Sequence, residues 1–283
     1  MAVIDSHVHV FSPGVMEDRD RACVAEPWFR DLYADPAARL ASPEDLLAAM
    51  DGAGVAFAVA AGFPWRDIGR ARSENDFLAE TCAGSGGRIR WLANVPPLAG
   101  EAAAAEADRC FALGAAGVGE LNADAQGFDL ADSRLLAPLA AACVSAGRPA
   151  MLHASEPLGH RYPGKGSATP DRLLALVSAF PDLPIVLAHW GGGLPFYELM
   201  PEVAEACARV VYDTAASTYL YRPGVFRAVL DIAGPERVLW GSDFPVLGMG
   251  RFLRRTTERS GVRVDELPAL LSGNARRVYG IGE

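Results

Sequence analysis

The chain has 283 residues, 51% hydrophobic and 22% charged, a composition that excludes disorder and supplies enough apolar surface for a substantial core. Its 26 Lys and Arg against 35 Asp and Glu leave a formal charge of −9, and without any basic run this argues against nucleic-acid binding and electrostatic membrane attachment. Lys165 is the only lysine, so no mechanism can draw on a lysine elsewhere.

Cys23, Cys82, Cys110, Cys143 and Cys207 are odd in number, widely spaced and without a CxxC pair, so free thiols in a reducing, cytoplasmic setting are expected. The opening MAVIDSHVHVF has neither the basic nor the apolar region of a signal peptide. Apolar stretches are short and broken by Gly, Pro or charge, so no bilayer span is expected.

In chain order, apolar and β-branched runs at 3–7, 55–62, 90–95, 117–121, 150–153, 185–189, 210–213 and 238–241 predict strands. Segments at 43–50, 74–83, 101–113, 133–146, 170–179, 195–208, 225–233 and 247–259 predict helices between and after them. Ser42-Pro43-Glu44-Asp45 and Thr169-Pro170-Asp171 each place a capping residue before a proline suited to a first turn. The 101–113 segment is alanine-rich, which favours helix. Eight strand–helix units predict an α/β (β/α)8 barrel, one domain over 1–283. The competing doubly wound sheet would need a glycine fingerprint after an early strand, and none is present. Insertions at 11–41 and 154–169 follow strands 1 and 5, at the barrel end where active sites are built.

Four of the five histidines fall at predicted strand ends. His7 and His9 flank Val8, and the two-residue strand period turns both imidazoles to one face. His153 ends strand 5 in LHASE, His189 ends strand 6 in LAHWGGG, and Asp243 ends strand 8 in WGSDFP. A closed barrel brings these ends to one mouth, where imidazoles and a carboxylate suit zinc, manganese, iron(II) or nickel without a thiolate. Glu120 ends strand 4 in GVGELN and could instead pair with an arginine at the mouth. His160, in the polar loop EPLGHRYPGKGS, reads at least as readily as a solvated side chain.

IDSHVHVF, LHASE, LAHWGGG, WGSDFP and SGNARRVYG, in this order over 4–280, resemble the amidohydrolase superfamily. The nearest branch is that of TIM-barrel metal-dependent hydrolases, which also holds the aminocarboxymuconate semialdehyde decarboxylase-like enzymes. The resemblance implies a site of His7, His9, His153, His189 and Asp243 with one or two divalent ions, zinc first and manganese, iron or nickel after it. It also likens Glu120 to the metal-bridging glutamate of TatD-type members, the lysine bridge of other members having no counterpart. If Glu120 bridges, one ion takes His7, His9, Glu120 and Asp243 and the other Glu120, His153 and His189. If it does not, a single ion takes His7, His9, His153 and Asp243, leaving His189 for acid–base or substrate contact. Asn274 matches an Asn-Ala signature that looks structural.

The expected reaction is hydrolysis of a small ester, lactone or amide by metal-activated water, with Asp243 moving the proton and His189 beside it. The second reading is metal-dependent, non-oxidative decarboxylation of a small unsaturated or aromatic acid. A catalytically silent barrel is the third, and the retention of every ligand type speaks against it. Trp65, Arg66, Arg161, Tyr162, Trp190, Tyr221 and Arg222 are candidate substrate contacts, with Asn94, Lys165 and Tyr219 in the same loops. Aromatics interleaved with cations suit a small carboxylate. Assembly into a homo-oligomer is left open.

Overall fold

The computed structural model describes residues 2–282. Eight parallel strands stand side by side in chain order: β1 (Val3–His9), β2 (Val55–Ala61), β3 (Ile89–Ala93), β4 (Gly117–Leu121), β5 (Ala150–Leu152), β6 (Ile185–Leu187), β7 (Val211–Asp213) and β8 (Val238–Leu239). The chain after β8 closes the ring against β1. Ser6 N–H donates to Trp240 O at 2.9 Å, Asp243 N–H to His7 O at 2.9 Å and His9 N–H to Phe244 O at 2.6 Å. This is the (β/α)8 barrel that the alternation of elements predicts.

Strand alternation divides the apolar residues into two layers. Ile4, Val59, Leu92, Met151, Val186 and Leu239 form the interior cluster, joined from one end by Ala275 and Tyr279 of the C-terminal helix Asn274–Tyr279. Ala58, Ala60, Ile185 and Leu187 face outward, in one cluster with Leu46, Leu78, Cys110 and Leu173 of the surrounding helices. All five cysteines are unpaired. Among the described residues no helix is long and apolar enough to cross a membrane.

Local chemistry sets the element ends. Ser42 and Asp45 form a reciprocal capping box at the helix Pro43–Ala53, which stops at Gly54 with φ 70°. Thr169 precedes the helix Pro170–Ala179 without capping it, its hydroxyl donating instead to Asp171 at 2.6 Å. The helix expected over 74–83 begins earlier, as Ile68–Gly84, because Asp67 accepts from Arg70 N–H. The segment expected as one helix over 195–208 splits into a tighter turn Leu194–Leu199 and a helix Pro201–Ala206, since Pro201 cannot continue the preceding hydrogen bonds. The insertion at 11–41 forms three short helices, Pro13–Glu17, Arg19–Ala25 and Pro27–Tyr33. The last of them packs through Phe29 onto Phe63 and Trp65 after β2, and through Phe29 and Tyr33 onto Phe11.

Asn274 fastens the end of the chain to β8, its side-chain amide donating to Pro235 O and Val238 O, each at 2.7 Å. Asn274→Ala leaves both carbonyls without that donor and should cost at least about 1–3 kcal/mol. A urea-denaturation midpoint unchanged from wild type would show that the amide does not hold β8.

Candidate active site

The strand ends converge as drawn from the sequence. β1 runs two residues past its predicted end, so His7 and His9 both lie on the strand and their Nε2 atoms come within 3.1 Å. Each is oriented through its other nitrogen: His7 Nδ1–H donates to Asp213 Oδ2 at 2.7 Å and His9 Nδ1–H to Ala61 O at 3.2 Å. Both Nε2 atoms are thereby turned toward each other and toward Asp243 and Glu120. Asp243 Oδ1 completes this group, 3.3 Å from His9 Nε2 and 3.9 Å from His7 Nε2.

A second group lies beside it. Glu120 Oε1 stands 3.0 Å from His153 Nδ1 and 3.2 Å from His189 Nε2, while Oε2 lies 3.9 Å from both His7 Nε2 and His9 Nε2. His153 Nε2–H donates to Gly164 O and His189 Nδ1–H to Ala215 O. Glu120 therefore faces four imidazoles and not the arginine that was its alternative partner. His7, His9 and Asp243 form one trio able to hold a metal ion, and Glu120, His153 and His189 another. Imidazole nitrogens and carboxylate oxygens in these numbers fit a divalent transition metal.

Close backbone approaches support this arrangement. A Cβ at Gly119 would sit 2.8 Å from Met151 Cβ, so the residue before Glu120 must be small where β4 meets β5. A Cβ at Gly192 would fall 2.4 Å from Ser155 O, which explains a glycine in the run after His189. His189 and Asp243 themselves have positive φ, 55° and 66°, a costly conformation for residues with side chains. Asp213 relieves part of that cost at His189 by accepting its backbone N–H at 2.9 Å.

Burial and charge oppose each other throughout. Burial pushes the His7 imidazole down, but the charge and hydrogen bond of Asp213 outweigh it and lift the group to about 10. His189 is likewise lowered by burial and lifted overall to about 9, chiefly by Glu120. Burial raises Glu120, yet His153, His189 and His7 hold it well below the usual carboxylate range. Asp243 behaves the same way, held down by His9, His7 and His189. The site thus keeps two ionised carboxylates beside His7 and His189, the two imidazoles lifted in pKa.

Above these groups is a cavity of about 280 Å³. Tyr162 lines it, as do His160 and Tyr219. The other six expected substrate contacts do not. Trp65 is buried under Arg70 and stacked on Phe29, and Trp190 is buried against Phe226 with its indole N–H on Ser217. Arg66 turns away to donate to Ala125 O and Asp124 O, and Arg161 is exposed. Tyr221 and Arg222 border a separate small cleft. In their place the 11–41 insertion supplies Phe11, Trp28, Leu32 and Tyr33, which sequence reasoning did not assign. The aromatic density of PWFRDLY was the available signal. Asp213 was also missed, although it ends a predicted strand as the other site residues do.

Among known proteins, the family model described as Amidohydrolase matches residues 4–281. The chain is 26% identical over 303 aligned residues to 6-methylsalicylic acid decarboxylase of Penicillium expansum, covering 90% of this chain and 89% of that one. Its fold is similar to 5-carboxyvanillate decarboxylase from Sphingomonas paucimobilis, with a TM-score of 0.80, 22% identity and 99% of both chains covered. It is also similar to 5-carboxyvanillate decarboxylase from Novosphingobium aromaticivorans, whose structure holds manganese and 4-hydroxy-3-methoxy-5-nitrobenzoic acid (TM-score 0.81, 20% identity, covering 99% of this chain and 96% of that one). The curated relative corrects the expected reaction. Hydrolysis of an ester, lactone or amide, the reaction expected from the sequence, is not what this relative is named for: it is a decarboxylase, the second of the two reactions weighed.

Asp213 touches two of the site histidines, so Asp213→Asn should weaken divalent-metal affinity about 10–100-fold, as losses of orienting partners do. Competition with a chromophoric chelator measures it, and unchanged affinity at an unchanged circular-dichroism spectrum would contradict the orienting role.

Proposed function

This chain belongs to the amidohydrolase family, and from that premise we propose that the enzyme is a metal-dependent, non-oxidative decarboxylase of a small aromatic carboxylic acid. The observation that carries the reading is the place of His189: it lines the cavity beside the trio His7, His9 and Asp243, with Nε2 3.2 Å from Glu120 Oε1. The Penicillium relative supports the reaction class, and the manganese in the Novosphingobium structure supports a divalent ion.

His7, His9 and Asp243 would hold the ion, with zinc our choice on affinity at a nitrogen-rich set and manganese its competitor. When bound, it would supply positive charge to orient a substrate carboxylate and to stabilise the electron pair freed as the bond to CO2 breaks. Decarboxylation replaces that carbon–carbon bond with a carbon–hydrogen bond at the same atom, so the protein must deliver one proton. His189 is our donor. Its Nδ1–H is committed to Ala215 O, which leaves the Nε2 proton, steadied by Glu120 Oε1, as the one to transfer. Phe11, Trp28 and Phe63 would hold the ring and exclude water. Glu120, His153 and His189 would hold a second ion if one bound, and His189 would then be a ligand and not the donor.

Metal-reconstituted protein should release CO2 from hydroxybenzoic acids, and metal-stripped protein should not. His189→Asn should lower the rate about 10²–10⁴-fold. Because the donor is the protonated form, the rate should fall as pH rises through the His189 pKa, at or below about 9, and the variant should lose that limb. Equal CO2 release with and without metal would overturn the reading.

A further inference from the structure

The cavity wall carries no arginine or lysine among the described residues, although its floor already holds Glu120 and Asp243. The nearby cations are committed elsewhere. Arg66 donates to Ala125 O at 2.5 Å and Asp124 O at 3.1 Å, and Lys165 Nζ donates to Leu158 O at 2.5 Å and His160 O at 3.1 Å. Arg70 lies over Trp65 at 3.6 Å, on the aromatic layer behind the wall. Two polar groups of the wall are also occupied: Tyr162 O–H donates to Glu156, and Asn122 Oδ1 accepts from Asp124 N–H and Ala125 N–H. Away from the metal-fit groups the surface is mostly apolar, made by Phe11, Trp28, Leu32, Phe63, Leu220 and Val246, with Tyr33, His160 and Tyr219 as its other polar members.

A substrate carboxylate at the floor would meet the ion and the imidazoles. A second anionic group on the same ring would instead be turned into the mostly apolar wall, desolvated and without an arginine or lysine to pair with. A methyl group there would be buried with profit to binding. We propose that the cavity selects ring acids bearing one anionic group and an apolar substituent, and rejects dicarboxylates. This rests on the reading of the site as one that binds an aromatic carboxylate at a metal ion.

Isothermal titration of metal-reconstituted protein with 2-hydroxybenzoate, a ring-methylated 2-hydroxybenzoate and a hydroxyisophthalate tests it. The methylated acid should bind about fourfold tighter than its parent, and the dicarboxylate at least about 100-fold more weakly. Leu32→Arg, which puts a guanidinium into the apolar wall, should narrow the dicarboxylate gap, with circular dichroism verifying the fold. Dicarboxylate binding equal to that of the monoacids in wild type would overturn the proposal, as would a failure of every acid to bind. Selective binding of the monoacids without CO2 release would uphold the selectivity and overturn the decarboxylase reading instead.

Discussion

Charge compensation among buried groups is the constraint on which the rest of this structure depends. Glu120, Asp213 and Asp243 are buried carboxylates, and ionised groups there are tolerable only beside opposite charge. His7 and His189, both lifted in pKa, provide that charge, with His9 and His153 in contact beside them, and the barrel delivers all four from β1 and from the ends of β5 and β6. The fixed outer nitrogens of these rings mean that the inner ones point to one place before anything binds. Preorganisation of this kind spares the site the cost of gathering its ligands.

Division of labour follows from position in the barrel. The strands supply the floor, where charges are held by hydrogen bonds within the scaffold. The 11–41 insertion supplies a wall of aromatic side chains that has its own packing with Phe63 and Trp65. Loop residues can vary in such a layout without disturbing the floor, so one donor set can serve different substrates. Tyr33 joins the two layers: burial and the nearby charges of Asp243 and Glu120 push its hydroxyl up, so it faces the floor as a neutral donor.

Much of this was legible in the sequence, for definite reasons. Two-residue alternation marks the strands, and a closed barrel makes the end of every strand a place in one site, so His7, His9, Glu120, His153, His189 and Asp243 could be gathered before any coordinates. Asp213 obeys the same rule, at the end of the strand predicted over 210–213, yet it belongs to none of the motifs that single out the others. The wall was not legible. Arg66 and Trp65 sit beside the mouth in sequence, but backbone carbonyls capture the first and the aromatic layer buries the second. Those competing contacts come from residues distant in the chain, which local patterns do not reveal. Reaction type was hidden for another reason: the same imidazoles and carboxylates can activate water or orient a carboxylate, and only likeness to a decarboxylase favours the second.

Location of the ion tests the account most directly. Crystals of the protein reconstituted with manganese or zinc should give an anomalous-scattering peak within coordination distance of His7 Nε2, His9 Nε2 and Asp243 Oδ1, with any second peak at Glu120, His153 and His189. A peak elsewhere, or none in crystals of protein shown to be metal-loaded, would contradict it.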